Sequence, residues 1–345
     1  MTNEAIVIGW INKGKPADCG ETMKNQLMIH RLEELGVKCR CVDFKNWRRH
    51  PWVFLQLIWN LVIHKKDTII FSTSTVNVYP MMKLMKKVKW KQPTIHWVIG
   101  GTLGEKVKNG IFDKDIIGYM DWTIVESNLM VQQLTDCGVK NVFQLPNFKP
   151  ITYYPNIKER INEWKKEITR PLRFVFLSRI MKEKGVDELF RASKKLKEIY
   201  HDKIEIGMVG FFEDEYKEKV EHLEQEGIIR FYGFQNEVRP FYEKAHCIVL
   251  PSYHEGMSNV LLEAASTGRA LITTYIPGCK EAVDEGINGY LCKVKSAKSL
   301  YRKMHQFIEL TKKEREEMGK NGRRKMQAQF DKDKVVEKTV KAILS

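Results

Sequence analysis

The sequence predicts an α/β protein of two doubly wound domains, and three observations predict it. Short apolar or β-branched runs alternate with helical patterns from end to end, the signature of parallel sheets covered on both faces. The chain has 345 residues, too many for one ordinary α/β core and suited to two of roughly 150–170 residues. Pro146, Pro150, Pro155 and Pro171, with a charged helical stretch at Lys158–Lys166 among them, read as a junction. No period of 20–50 residues recurs, which excludes a solenoid.

In the first half the strands are read at Ala5–Trp10, Lys38–Asp43, Thr68–Ser72, Thr94–Ile99, Trp122–Glu126 and Val142–Leu145. Pro51–His64 reads as a helix with Pro51 at its first position. Its polar residues Gln56, Asn60 and His64 are spaced four apart on one stripe, and the rest is apolar. Such a helix is expected to be buried on several sides or to lie in an interface. In the second half the strands are read at Leu172–Leu177, Ile204–Val209, Ile229–Phe231, Cys247–Leu250 and Ala270–Thr273. Helices are expected over Asp187–Tyr200 and over Asn259–Thr267, the latter capped by Ser258 and closed by Gly268. A last helix, Lys332–Leu344, follows an aromatic break at Phe330. The expected domains are 1–160 and 161–330, with 331–345 packing back on the first.

Composition bounds the setting. The apolar fraction is 43%, and no apolar run approaches the roughly 20 residues that span a bilayer. Thr2-Asn3-Glu4 carries an acid where a secretory signal has basic residues, so a cytoplasmic protein is expected. The seven cysteines are scattered and lack any C-x-x-C spacing, which favours reduced thiols over disulfides or zinc. The formal charge of +15 implies an anionic partner. Between Lys45 and Lys91 ten Lys/Arg residues face one acid, Asp67, and such focusing favours a surface over a small ligand. Lysines interleaved with Met and Trp at residues 81–91 fit adsorption to anionic lipid, as does the apolar stretch within 47–66. No nucleic-acid-binding module is evident, and no nucleic-acid partner is expected.

In open parallel sheets ligands bind at the carboxyl ends of strands. Arg179 and Lys184 follow the strand Leu172–Leu177 and precede a helix, a placement that favours a diphosphate. Glu255 precedes the cap Ser258, and Glu263 lies one turn into the helix, roughly 6–8 Å along the axis. Two carboxylates thus flank a helix N-terminus, a layout that suits ribose hydroxyls, diphosphate and hexose hydroxyls in turn. Gly256 permits close approach of a ligand to the backbone.

Together these residues resemble the retaining glycosyltransferases of family 4, which have the GT-B fold of two Rossmann-like domains facing a cleft. The resemblance runs through Arg179, Glu183-Lys184-Gly185, Phe231-Tyr232-Gly233-Phe234, Glu255 with Glu263, Ile276-Pro277-Gly278, Glu281 and Asn288-Gly289-Tyr290-Leu291. It implies that Arg179 and Lys184 grip the donor diphosphate and that Glu255 contacts the transferred sugar. Backbone amides of Gly256, Met257, Ser258 and Asn259 would lie near sugar and phosphate. Glu263 would hold the ribose, and the loop after Gly233, with Phe234, would border the base. It further implies a nucleotide-sugar donor, most commonly UDP-linked, a glycan or lipid-linked glycan acceptor, retention of configuration, and no metal or other cofactor.

The first half matches less closely. The family often has a glycine-rich loop after the first strand, and here Gly14 and Gly20 sit in a longer loop, Asn12–Glu21. A histidine is often found past the fourth strand, where this sequence has Gly100-Gly101. His96 falls inside the strand and is expected to be structural. Gly20, Gly100 and Gly101 are the candidates on the acceptor side. The Asp-x-Asp strings Asp113–Asp115 and Asp331–Asp333 read as solvated or capping acids. Two other functions stay open: a nucleotide-sugar epimerase of the same fold, and a non-catalytic anion-binding protein.

Overall fold

The computed structural model describes residues 4–17, 19–45, 47, 49–145, 171–331, 334, 335 and 337. The junction from Pro146 with its stretch Lys158–Lys166, Asp333 of the second Asp-x-Asp string, and most of the helix expected over Lys332–Leu344 lie outside these residues. The chain divides into two compact units, Met1–Phe148 with Lys332–Ser345, and Lys149–Asp331.

The first unit is built on six parallel strands: β1 Glu4–Gly9, β2 Lys38–Asp43, β3 Thr68–Thr73, β4 Thr94–Val98, β5 Trp122–Val125 and β6 Val142–Gln144. Their order is β2-β1-β3-β4-β5-β6. Helices α1 Gly20–Glu34, α2 Trp52–Ile63, α3 Thr75–Lys87, α4 Leu103–Lys108, α5 Lys114–Ile117 and α6 Asn128–Asp136 alternate with them. The central strands β1, β3 and β4 are almost wholly buried, which is why they read as unbroken apolar runs. One apolar cluster joins Ile6, Ile8 and Phe71 to Val53 and Leu57 of α2 and Val78, Met82 and Met85 of α3. A second joins Ala5 and Val7 to Met28, Ile29 and Leu32 of α1 and to Val335. Arg31 of α1 also pairs with Glu337 at 3.6 Å.

The strand order reverses between β1 and β3. There Gly9 lies so close to β3 that a Cβ would overlap the Ser72 carbonyl oxygen. Asn25 of α1 secures this approach, donating to the carbonyls of Trp10 (2.9 Å) and Ser72 (3.0 Å) and accepting from the Ser72 hydroxyl at 2.5 Å.

Two local readings change. Pro51 precedes α2 as its cap, and helical residues begin at Trp52. The outward residues of α2 are exposed, so among its own residues only Val53, Leu57 and Asn60 are buried. Residues 81–91 form the second half of α3 and the turn that follows it.

The second unit has strands β7 Leu172–Leu177, β8 Ile204–Val209, β9 Arg230–Phe231, β10 Cys247–Leu250, β11 Ala270–Thr274 and β12 Gly289–Cys292. Their order is β12-β11-β10-β7-β8-β9, all pairs parallel. The sequence reading counted five strands here and missed β12. The helices are α7 Val186–Tyr200, α8 Lys217–Gln225, α9 Arg239–Lys244, α10 Asn259–Ser266, α11 Ala297–Glu309 and α12 Lys312–Lys325. One continuous cluster around Phe174, Phe176, Ile248, Leu261, Leu271 and Phe307 fills the unit. Its strand order reverses between β7 and β10, so the loops after these two strands open at the switch point where such sheets hold ligands.

Candidate functional site

Every donor-side residue singled out in the sequence lies in the second unit, and the most charged of them come from the two switch-point loops. After β7 the chain passes Ser178 and exposed Arg179, buries Ile180, and makes a single 3₁₀ turn at Lys182–Lys184. Gly185, at φ 69°, then turns the chain into α7. A Cβ at Gly185 would overlap the carbonyl oxygen of Pro251. This glycine is therefore required twice, by its left-handed backbone and by the other loop packed against it. The Tyr253 N–H donates to the Glu183 carbonyl at 2.8 Å, adding a second backbone join between the loops.

Across this join Lys184 Nζ donates to Glu255 Oε1 at 2.6 Å. The buried hydroxyl of Ser252 donates to the same oxygen at 2.8 Å. Both charged side chains are largely but not fully covered, and such a pair is well oriented while still reachable from solvent. Arg179 is exposed and makes no ion pair among the described residues.

From Glu255 the chain runs through Gly256 and buried Met257 to Ser258, whose hydroxyl accepts from the Leu261 N–H at 3.4 Å and caps α10. The loop rests on the Ile276-Pro277-Gly278 segment. The Ser258 N–H donates to the Gly278 carbonyl at 3.0 Å, and the Gly278 N–H donates to Glu281 at 2.7 Å. Gly278 has φ 85°, and a Cβ there would overlap the Glu255 and Gly256 carbonyls. Beneath the loop, burial and the nearby Glu255 charge push the Cys279 thiol up to about 12. It is a neutral packing group.

Glu263 sits on α10 one turn beyond the cap. The hydroxyl of Tyr242, a residue buried on α9, donates to Glu263 Oε2 at 2.8 Å. At the carboxyl ends of β8 and β9 stand two exposed rings, Phe211 and Phe234, with centroids 6.4 Å apart. Gly233 has φ 67°, and its carbonyl accepts from the Gly210 N–H at 2.9 Å. A Cβ at Gly210 would overlap the Ser178 carbonyl.

Sequence reasoning missed Ser252, Gly210, Phe211 and Tyr242. A glycine directly after a strand was the available signal for Gly210 and Phe211. Nothing local marked Tyr242, which is 21 positions from its partner.

The first-unit candidates do not form a group of that kind. Gly20 is the first residue of α1, not part of a loop, because the Cys19 N–H donates to Thr22 Oγ1 at 3.1 Å and starts the helix there. Gly100 and Gly101 follow β4 in a bend, and Gly100 has φ 115°. His96 is wholly buried, lies 3.3 Å from Thr75 Oγ1, and burial alone pushes its pKa down to about 3. That is a structural histidine. At the carboxyl ends of the same strands Lys24 of α1 and Glu126 form a buried ion pair at 2.6 Å. Asp113 caps α5, accepting from the Asp115 N–H at 2.8 Å. The one cluster of metal-type side chains among the described residues is Glu4, His64 and Asp67. Arg40 lies 2.7 Å from Glu4 and 3.1 Å from Asp67, so both acids are paired with its cation.

The two parallel-sheet domains are matched over nearly the whole chain by solved structures. HepE of Anabaena, in complex with UDP, aligns with a TM-score of 0.74 at 14% identity, over 99% of each chain. Sucrose-phosphate synthase of Thermosynechococcus elongatus aligns with a TM-score of 0.77 at 15% identity, over 98% of each chain. The architecture is the GT-B fold.

Residues 158–325 match the family described as Glycosyl transferases group 1. The N,N'-diacetylbacillosaminyl-diphospho-undecaprenol alpha-1,3-N-acetylgalactosaminyltransferase of Campylobacter jejuni is 27% identical over 302 residues, 81% of this chain and 78% of its own length. The capsular polysaccharide biosynthesis glycosyltransferase CapM of Staphylococcus aureus is 25% identical over 158 residues, 45% of this chain and 41% of its own length. These matches support a place in the glycosyltransferase superfamily.

Proposed function

We propose that this protein is a retaining glycosyltransferase that moves a hexose or N-acetylhexosamine from a nucleotide-sugar, a UDP-sugar first among the candidates, to a saccharide or lipid-linked saccharide. The observation that carries the reading is the join between the switch-point loops: Lys184 on Glu255, beside a capped helix that carries Glu263. Arg179 and Lys184 supply the cations for a diphosphate, and the positive end of the α10 dipole adds partial positive charge. Glu255 accepts from hydroxyls of the transferred sugar, and Glu263 accepts from the ribose. Phe234 and Phe211 offer faces to the base.

In the chemical step the bond from the anomeric carbon to the diphosphate oxygen breaks and the acceptor oxygen bonds to the same face. The acceptor proton passes to the leaving phosphate. Arg179 and Lys184 stabilise the charge gathering on that phosphate, so no metal and no protein base is required. Transfer is expected to persist in excess EDTA, and loss of transfer that Mg²⁺ or Mn²⁺ restores would contradict this.

The names of the relatives support an acceptor in cell-surface polysaccharide or glycolipid synthesis, the Campylobacter enzyme being named for a lipid diphosphate. A lipid-linked acceptor would place the protein in the cytoplasm, peripheral on the inner face of the membrane, with contact through residues 47–66 and 81–91. No helix among the described residues is long and apolar enough to cross a bilayer.

The test is a thermal-shift panel of nucleoside diphosphates and sugar nucleotides. At least one is expected to raise the melting temperature, and Glu263→Ala is expected to shrink that rise. Absence of any shift would defeat the donor site and leave an anion-binding role. Conversion of a sugar nucleotide without acceptor would favour an epimerase.

A further inference from the structure

Helix α2 carries its better apolar stripe on the wrong side for a soluble protein. Leu55, Ile58, Trp59 and Val62 stand at i, i+3, i+4 and i+7, the spacing that normally faces a core, yet all four are exposed. Trp52 and Ile63 extend the stripe at its two ends, with Trp52 73% and Trp59 65% exposed. The inward side is the poorer one. It buries only Val53, Leu57 and Asn60, and the Asn60 amide satisfies itself on the Gln56 carbonyl at 2.7 Å. Gln56, at the margin of the outward face, turns its amide to the Cys41 carbonyl at 3.2 Å. No charged residue occurs within α2.

Cations flank this helix in the chain. Arg49 precedes α2, and Lys65 and Lys66 follow it, all exposed. Helix α3 packs into the same apolar cluster and exposes Lys83 and Lys87 beside Leu84 and Val88. Of the acids nearby, Asp67 is buried and paired with Arg40, and exposed Asp115 lies 4.0 Å from Lys86 of α3. An uncharged apolar strip flanked by arginine and lysine is complementary to one kind of partner, the interface of a bilayer rich in anionic lipid. A second copy of the chain would bring the same cations towards each other. Twelve residues extend about 18 Å, well short of the roughly 30 Å of a hydrocarbon core, so the helix lies in the plane of the membrane.

We propose that α2 is an in-plane membrane anchor: its Leu55–Ile58–Trp59–Val62 face enters the boundary between headgroups and acyl chains of an anionic bilayer, and the flanking lysines bind the headgroups. This narrows the membrane contact proposed above to one helix face and makes it mainly apolar. It does not depend on the donor site, which is read out by nucleotide and not by lipid.

The experiment is flotation of the full chain with vesicles of phosphatidylcholine alone and of phosphatidylcholine containing phosphatidylglycerol, at low and at high salt. Wild type floats with the anionic vesicles. Ile58→Glu with Trp59→Glu lowers its partition about ten-fold or more at an unchanged melting temperature. Leu55→Gln with Val62→Gln, on the same stripe, gives the same direction without adding charge. Lys83→Gln with Lys87→Gln costs roughly five-fold per lysine at low salt and little at high salt. Wild type that stays with the soluble fraction at low salt, or a Glu variant that floats as wild type does, overturns the proposal. So does a wild-type dimer that the Glu variant dissociates while flotation stays the same, which would make a second copy the occupant.

Discussion

Lys184 Nζ and Glu255 Oε1, 2.6 Å apart, join the loop after β7 to the loop after β10. Each neutralises the other, and a diphosphate taking Lys184 would release Glu255 towards a sugar hydroxyl. Lys184→Ala is therefore expected to weaken nucleoside-diphosphate binding by about ten-fold or more, the worth of a charge-assisted hydrogen bond. Glu255→Ala is expected to reduce transfer far more than nucleotide affinity. Calorimetric titration beside initial rates checks both, and unchanged turnover in Glu255→Ala would remove that residue from the site.

The Tyr242 hydroxyl holds one oxygen of Glu263 and so fixes where the other can point. Tyr242→Phe removes that bond without removing the ring. It is expected to narrow the preference for a nucleoside diphosphate over its 2′-deoxy form several-fold, and Glu263→Gln is expected to narrow it further. A Tyr242→Phe variant with full discrimination would mean the bond serves packing alone.

Gly185 and Gly278 each combine a positive φ with a backbone carbonyl where a Cβ would go. Gly185→Ala and Gly278→Ala are each expected to cost about 1–3 kcal/mol by strain before any loop shift is counted. Urea unfolding should show the loss, and nucleotide binding should fall with it because the same contacts align the clamp. By contrast Gly227→Ala, with φ 68° but open space around it, should destabilise less and leave binding intact.

Burial pushes His96 down from 6.5 to about 3, and burial followed by nearby arginines pushes His246 down to about 4. Both stay neutral in the folded chain while the unfolded chain takes up protons below its ordinary pKa. Their contribution is complete above about pH 6.5 and is lost as the pH falls, by up to about 1.4 kcal/mol per pH unit for each histidine. Urea titrations at about pH 7.5 and pH 5.5 should show the decline. In His96→Gln the dependence should be shallower by one histidine's share.

Eleven of the twelve strands among the described residues are recognisable in the sequence to within one residue at either end, and the central ones stand out because a parallel strand buried on both faces leaves an apolar run. Strand β12 escaped because it has four residues and opens with Gly289, where a side chain would strike the Leu271 carbonyl. The proposed donor clamp is legible for a related reason. It is assembled from short segments, Arg179–Gly185 and Glu255–Glu263, in each of which the glycine and the charges are close in sequence. Tyr242 acts from another helix, and no local pattern announces that, whereas Ser252 stands three residues before Glu255 without a motif of its own. For α2 the composition was plain, but which side faced the sheet depended on Val53 and Leu57 meeting β-strand side chains, a matter of three-dimensional register.

Val335 closes an apolar cluster begun by Ala5 and Val7. A ribosome making this chain must therefore complete all of β7 to β12 before the first unit receives its last piece of core. The later unit can finish folding while the earlier one still waits with an uncovered apolar patch around Met28 and Leu32. Order of synthesis and order of completion are thus reversed, and truncation shortly before Val335 should injure the beginning of the protein more than its end.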